Sequence, residues 1–499
     1  MRGVRNVFWQ IFGATLLALA LFSIAVAFLM PTLEKALFNY LSDQALQKVM
    51  KSRYMTSLTS AWSLLRRANP QIFLENSLRA TQDQAIGRPM GTPLVFSHWE
   101  NLVFNPAQLA HIPTRRREEV ELKTVIGPKT ARPLVTDIPI LIAAMSYGGA
   151  LSMKAKIALA LGANMAGTAT NTGESYLPEE RDAAKRLIVQ YHRGTWPLSA
   201  QNHPEYLESA DAIEIQIGQG AQAASAMITK HMDPEMQKYF GLKDGDKAVI
   251  AARLQGVETP QDFVRLVHQL KGRYSVPVGV KIAPSGWLED DLAVILDAHV
   301  DFIVLDGGEG GTHSGPPILQ DDFGIPTMAA ISWADQFLRE KNCRQRITLI
   351  AAGGLRSPGD YLKAMALGAD AVYIGYAALM ALSAYQAQKV LPYAPPEDLL
   401  YHKGKHHHEL DVDQAARHLA HFLRSSCDEL RYGVQAVGKT NIHDVNRDDL
   451  VALDPWTAQL AGVKSLVQPW ISQEDPGVFP EAPHFHFRSP NEGGNHPVH

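Results

Sequence analysis

Polar side chains and glycines fall at a recurring place in this 499-residue chain, immediately after short apolar runs. Met145-Ser146-Tyr147-Gly148 follows one run, Asn171-Thr172-Gly173-Glu174 a second, and Gln216-Ile217-Gly218-Gln219-Gly220 a third. Lys281 closes another, and Asp306-Gly307-Gly308-Glu309-Gly310-Gly311-Thr312 follows the next. Two further runs end in Gly353-Gly354, with Arg356 just beyond, and in Gly375. Glycine lets backbone N–H groups approach an anion closely, so the paired glycine ends suit a phosphate, with a plain tight turn as the alternative. Amide side chains offer donors and acceptors to the edge of a polar ring, and a single lysine offers charge to an anion forming on it.

The elements that position these residues are legible in outline. Ile347 to Tyr376 reads as strand, capped helix and strand, with its two glycine-bearing strand ends side by side. Apolar or β-rich runs occur at Ile138–Ala144, Gly167–Asn171, Leu187–Tyr191, Ala212–Ile217, Val278–Ile282, Phe302–Leu305, Ile347–Ala352 and Ala371–Ile374, with helix-forming stretches between most of them. Eight parallel strands with crossover helices predict an α/β fold, a (β/α)8 TIM-type barrel with functional residues just after each strand and phosphate sites after the seventh and eighth. A doubly wound open sheet is the alternative. The 60-residue gap between the fourth and fifth runs predicts an insertion, helical around Lys230–Phe240 and Asp262–Leu270. Amides, one lysine and a phosphate site together fit flavin mononucleotide, FMN, with Lys281 beside the N1–C2 edge of the ring. Lys281 paired to a carboxylate and Asn171 capping a turn are the structural alternatives.

Composition sets the outer bounds. The chain is 46% hydrophobic and 20% charged with a formal charge of −4, which offers no general basic surface to nucleic acid. Its two cysteines, Cys343 and Cys427, cannot by themselves build a disulfide framework, a zinc site or a cysteine-ligated cluster. No metal is expected: adjacent histidines in Lys405-His406-His407-His408-Glu409 do not share a helical face. Val7 to Met30 carries no charge over 24 positions, longer than the roughly 20 needed to span a bilayer, and predicts a single transmembrane anchor, with a cleaved signal peptide as the competing reading. The resulting division is an anchor over 1–31, a helical neck and irregular lead-in over 32–137, the barrel over 138–400, and a helical extension with a loosely ordered tail over 401–499. Within the extension, Asp411–Arg431 is amphipathic. Membrane lipid is an expected partner, with the catalytic domain on the cytoplasmic side.

From Pro139 to Gly375 the chain resembles the FMN-binding synthase domain of the glutamate synthase family. Ala-Met-Ser-Tyr-Gly, Asn-Thr-Gly-Glu, Ile-Gly-Gln-Gly-Ala, Val-Lys, Asp-Gly-Gly-Glu-Gly-Gly-Thr and Gly-Gly-Leu-Arg occur in the family's order. The resemblance implies an FMN oxidoreductase acting on CH–NH2 donors, with hydride passing to 2-iminoglutarate, formed from 2-oxoglutarate and ammonia, to give glutamate. It places Met145, Ser146, Asn171, Gln219, Lys281, Gly353, Gly354, Arg356 and Gly375 around FMN, and Glu174 and Gln219 against the substrate. Tyr147, Asp306 and Gly308 join the cofactor set by their position after strands. Glu174 and Lys281 are the catalytic candidates.

The departures from that pattern carry expectations of their own. Gln222-Ala223-Ala224-Ser225-Ala226 stands where the large bacterial enzyme continues Lys-Pro-Gly-Glu-Gly, so a lysine expected at the substrate carboxylate is missing. Arg193, after the third strand, is the candidate replacement cation. His313 stands where the family has glycine and adds an acid or hydrogen-bond donor, or else a surface loop residue. No glutaminase segment with its cysteine nucleophile precedes the barrel, so the nitrogen donor is expected to be free ammonia, an amine or the product of a separate subunit. Ala377–Tyr393 lacks the cysteines of an iron–sulfur relay, which points to a separate electron donor. Oxidation of a hydroxy acid, reduction of another imine, and a flavin-binding membrane subunit without turnover stay open as alternatives.

Overall fold

The computed structural model describes residues 2–51, 53, 63, 66, 69–96, 99–194, 199–200, 203–229, 234–243 and 248–467. The expected loose tail beyond 467 lies outside the described residues. The chain divides into two compact units, Met1–Ile86 and Gly87–His499.

The first unit contains helix α1 (Arg2–Lys51) and helix α2 (Pro70–Gln82). The Asn69 side chain caps α2, accepting from the Gln71 nitrogen, and Pro70 fills its first position, where no backbone donor is needed. The expected membrane anchor is corrected here. Among the described residues no helix is long and apolar enough to cross a membrane. Val7–Met30 is the first half of one continuous 50-residue helix that runs through Pro31 into a half bearing Glu34, Lys35, Asp43, Lys48 and Lys51. An uncharged run that merges into a charged helix does not define a span by its length alone. The expected single-pass membrane location and the lipid partner fall with the anchor.

The second unit is built on eight parallel strands: β1 (Ile140–Ile142), β2 (Thr170–Asn171), β3 (Leu187–Tyr191), β4 (Ala212–Gln216), β5 (Val278–Ile282), β6 (Phe302–Asp306), β7 (Thr348–Ala352) and β8 (Ala371–Ile374). Their hydrogen-bonded order is β1-β8-β7-β6-β5-β4-β3-β2, without the reversal that marks a doubly wound sheet. The Ile142 nitrogen donates to the Ala169 oxygen at 3.0 Å, which brings the two end strands together and leaves a nearly closed barrel. The crossovers are α3 (Met153–Ala166), α4 (Pro178–Ala183), the short helix Glu205–Glu208, α5 (Pro260–Arg273), α6 (Leu288–Asp297), α7 (Thr327–Glu340) and α8 (Pro358–Ala366). Sequence dictates several of their starts: Thr259 with Asp262 and Ser357 with Asp360 form reciprocal capping boxes at α5 and α8.

Alternation along the strands separates two cores. Leu141, Ile188, Ala212, Phe302, Val304, Ile350 and Tyr373 fill the barrel interior, while Ile140, Val189, Ile213, Val280, Leu305 and Leu349 pack outward under the helices. A Cβ at Gly279 would overlap the Phe302 ring, so glycine there makes room for that ring inside the barrel. The hairpin pairing Thr124–Ile126 with Leu134–Thr136 adds Ile126 and Leu134 to the inner core, and the Gly127 nitrogen donates to Thr348 Oγ1 at 3.1 Å, at the start of β7. The lead-in thus closes the end of the barrel opposite the site.

After β8 come α9 (Tyr376–Ser383) and the long α10 (Val412–Ala436). Helix α10 packs on α3 at Gly162, where a Cβ would lie 2.8 Å from a Leu419 methyl carbon. Leu450–Ala452 pairs antiparallel with Leu102–Phe104 and parallel with Lys464–Ser465, so lead-in and tail are joined in one small sheet. The insertion after β4 holds the helix Pro234–Phe240 and a hairpin of Met227–Thr229 with Ala248–Ile250.

Candidate active site

The ends of β2, β4, β5 and β6 carry one connected line of polar side chains. Glu174, past β2, lies with Oε1 3.4 Å from Gln216 Nε2, and the same amide nitrogen lies 3.1 Å from Gln219 Oε1. Lys281 Nζ reaches Gln219 Oε1 at 3.3 Å and Asp306 Oδ2 at 3.4 Å. Parallel register sets this line, since Lys281 stands opposite Gln216 on one side and Val304 on the other. Lys281 is therefore at the mouth and paired to a carboxylate, as its structural alternative expects.

Asn171 is fully buried. Its Oδ1 accepts from the Gly173 nitrogen at 3.0 Å, capping the turn, and its Nδ2 lies 3.5 Å from the Tyr373 hydroxyl. Gly173 has φ +63°, and a Cβ there would meet the backbone of Met145 and Ser146 at 2.7 Å, which puts the loops after β1 and β2 in backbone contact. Ser146 is buried and Met145 half-buried in that loop. The Tyr147 ring turns away into an aromatic cluster with Tyr239, Phe240 and His402. The side chain of Tyr147 is committed to that packing.

The glycine ends behave as backbone surfaces. Gly353 and Gly354 have φ +101° and +69°, values that favour glycine, and a Cβ at Gly353 would lie 2.9 Å from the Gly307 nitrogen. Gly375 opens α9 and has space around it, the nearest atom to a Cβ there being Ala143 Cβ at 3.9 Å. The Gly308 nitrogen is used by Ile325 O at 2.9 Å. Glu309 caps the start of α7, accepting from the Thr327 nitrogen at 2.8 Å and from Thr327 Oγ1 at 3.0 Å. Arg356 is exposed, its backbone nitrogen held by Asp360 Oδ2 at 3.0 Å.

The two candidate cationic or acidic substrate contacts separate. Arg193 is buried, with Nη1 3.5 Å from Ser225 O and 3.4 Å from Ala252 O, while its Nε and Nη2 have no partner among the described residues. Burial draws its guanidinium below the ordinary arginine value, and Glu174 opposes that shift. Ser225 belongs to the loop after β4, so Arg193 stands over the stretch that departs from the family pattern. Gln222, in that same stretch, donates to Thr312 Oγ1 at 2.7 Å and ties the loop after β4 to the loop after β6. His313 lies edge-on to Tyr401 with ring centres 4.4 Å apart, and burial, then Lys403, lowers its pKa.

Strand alternation reveals site residues that a reading confined to strand ends does not reach. Gln190, Glu214 and Tyr373 sit inside the barrel: the Tyr373 hydroxyl donates to Glu214 Oε2 at 2.8 Å, and Gln190 Nε2 donates to Glu214 Oε1 at 2.7 Å. Burial, then the Glu214 carboxylate, pushes the Tyr373 phenol well above its ordinary value. His192, two positions beyond Gln190, is fully buried, and burial lowers it to about 4. Polar residues at period-two positions of otherwise apolar runs, as in Ile188-Val189-Gln190, were the available signal.

Residues 92–440 match the family model described as the conserved region in glutamate synthase. The chain belongs to the glutamate synthase family. An archaeal-type glutamate synthase [NADPH] of Thermotoga neapolitana is 33% identical over 407 residues, covering 75% of this chain and 79% of that protein. A glutamate synthase large subunit-like protein of Rhizobium meliloti is 32% identical, covering 77% of this chain and 90% of its own. Among solved structures, a flavocytochrome b2 variant with benzoylformate aligns at 17% identity and TM-score 0.48 over 78% of this chain and 87% of its own. As a glutamate synthase-type protein the chain is an oxidoreductase, and the barrel mouth just described falls within the matched residues.

Proposed function

We propose that the chain binds FMN at this mouth and reductively aminates 2-oxoglutarate or a related 2-oxo acid. The observation that carries the substrate class is the buried Arg193 guanidinium beside Glu174, whose Nε and Nη2 lack partners among the described residues. A buried guanidinium with a free donor pair matches a carboxylate bidentately. The residues also fit the cofactor. Gly353 and Gly354 hold positive φ where a Cβ would collide with Gly307, Thr327 and Glu309, and the first amides of α9 follow the open Gly375.

FMN, when bound, supplies two-electron transfer to the imine carbon. Gly353, Gly354 and Gly375 would hold its phosphate, and Gln219 would offer its amide to the polar edge of its ring, with Asn171 shaping the turn after β2 from below. Lys281 holds negative charge at that edge, and its partner Asp306 fixes where the ammonium sits. Arg193 orients the 2-oxo acid by its carboxylate, and Glu174, held by Gln216, faces the reacting nitrogen and exchanges its proton. The relatives carry NADPH in their names, and electrons reaching this chain come from a reduced nicotinamide donor through a separate component.

Stopped-flow mixing of anaerobically reduced protein with 2-oxoglutarate and ammonium is the direct test. Reoxidation of the flavin with glutamate formed in equal amount is expected. A flavin that stays reduced with every 2-oxo acid offered overturns the reading.

A further inference from the structure

We propose that the ends of β3 and β4 hold a small subsite for ammonia, lined by Gln190, His192 and Gln216. The inference rests on the reductive-amination reading and names the seat of its nitrogen substrate.

All three side chains are buried to 1% exposure or less. The orientation of both amides is set by their neighbours. Gln190 Nε2 faces Glu214 Oε1 at 2.7 Å, and a carboxylate only accepts, so Gln190 Oε1 points away from it. Gln216 Nε2 stands between the oxygens of Glu174 and Gln219, at 3.4 and 3.1 Å, which turns its own Oε1 away from both. Neither carbonyl oxygen has a partner among the described residues, and the His192 ring has only the Glu174 backbone near it. Burial keeps that imidazole neutral at physiological pH, so one of its nitrogens is an acceptor and the other a donor.

Register brings the three together. Gln190 stands opposite Glu214 and Tyr191 opposite Ile215, and His192 and Gln216 are the next residues along their two chains. Three buried acceptors without donors are costly, which favours an occupant rich in N–H groups. Water has two donors and satisfies two of the three. Ammonia has three, and the packed Ile188 and Ala212 below leave no place for a long alkyl chain. Arg193 disfavours a cation there while Glu174 and Glu214 favour one, and only the neutral ammonia has the lone pair that attacks a carbonyl carbon. With the 2-oxo acid on Arg193, the ammonia lone pair attacks the keto carbon. The new C–N bond replaces the C–O bond, and the carbonyl oxygen leaves as water with two of the nitrogen's protons.

The test uses the FMN-loaded protein and compares wild type with His192→Leu and His192→Gln. Ammonium chloride should raise the melting temperature more than potassium chloride at equal concentration and pH, an excess lost in His192→Leu and partly kept in His192→Gln. In flavin reoxidation, the ammonium concentration for half-maximal rate should rise about threefold to tenfold in His192→Leu, the loss of one or two neutral hydrogen bonds. The 2-oxoglutarate dependence should stay within twofold. Equal stabilisation by the two salts would mean a water-filled pocket and sink the proposal, as would a His192→Leu effect on 2-oxoglutarate alone. Failure of the underlying reaction looks different, since wild-type flavin would then stay reduced at every ammonium concentration, and that outcome overturns this inference as well.

Discussion

At the scale of single residues, the proposed site makes two charges testable, Lys281 toward the cofactor and Arg193 toward the substrate. Reduction of a flavin places negative charge near N1, and an ammonium about 4 Å away favours that anion by about 4 kcal/mol at an effective dielectric near 20. Lys281 also neutralises Asp306, 3.4 Å away, so Lys281→Met removes an attractive charge and uncovers a repulsive one. The two-electron potential should fall by tens of millivolts, about 30 mV for each 1.4 kcal/mol. Lys281→Met combined with Asp306→Asn should recover part of that fall. Redox titration checks both, and an unchanged potential with FMN still bound would reduce Lys281 to a structural partner of Asp306. Arg193→Gln acts on the substrate instead. Removing a charge-assisted contact of about 1.5–3 kcal/mol should weaken 2-oxoglutarate binding roughly tenfold to hundredfold, read from the flavin absorbance change, with the potential of the free protein nearly constant.

At the scale of elements, the end of β2 depends on an ion pair that spans two helices. Lys156 on α3 lies 2.9 Å from Glu180 on α4, both side chains fully buried, and it donates to the carbonyls of Asn171 at 2.8 Å and Thr172 at 3.3 Å. The two-residue strand β2 is thereby fixed in place along with its Asn171 side chain. Lys156→Met leaves the buried Glu180 and the carbonyls of Asn171 and Thr172 without their donor and should destabilise by about 3–5 kcal/mol, while adding Glu180→Leu should restore part of the loss, both measured by denaturant midpoint. This same strand marks where sequence reading stops. Leu187–Tyr191, Val278–Ile282 and Ala371–Ile374 are found at their expected bounds because strands buried on both faces read as unbroken apolar runs. The run expected from Gly167 begins only at Thr170, because Gly167 is spent on the C-cap of α3 with φ +76°. The hairpin of Met227–Thr229 with Ala248–Ile250 pairs segments far apart in sequence, and no local pattern announces it. Gln190 projects inward from the middle of β3, and His192 follows the last residue of that strand beside Arg193, so neither belongs to a motif that the loops announce.

At the scale of the whole molecule, two buried groups on neighbouring strands and helices set opposing pH dependences of stability. Burial holds His192 near 4 against an ordinary 6.5, with Glu174 opposing and Arg193 reinforcing the shift. Between pH 4 and 6.5 the unfolded chain therefore binds a proton that the folded chain refuses, and the His192 contribution, complete above 6.5, is lost as pH falls toward 4. Glu180 runs the other way. Burial raises it to about 7 from 4.5, while Lys156, Thr170 and Arg181 pull it down. Between pH 4.5 and 7 the folded chain keeps a proton that the unfolded chain has released, so the Glu180 contribution is complete below 4.5 and lost as pH rises to 7. Each amounts to about 3 kcal/mol at full extent, and the windows overlap from roughly 4.5 to 6.5, where the two slopes nearly cancel. Wild-type stability from these groups should accordingly be almost flat across that range. His192→Leu should expose a decline in denaturant midpoint from pH 4.5 to 7, and Glu180→Gln a rise from pH 4 to 6.5. Parallel flat profiles in both variants would mean that neither group keeps its buried, shifted state in solution, and the same result would remove the neutral imidazole on which the ammonia subsite depends.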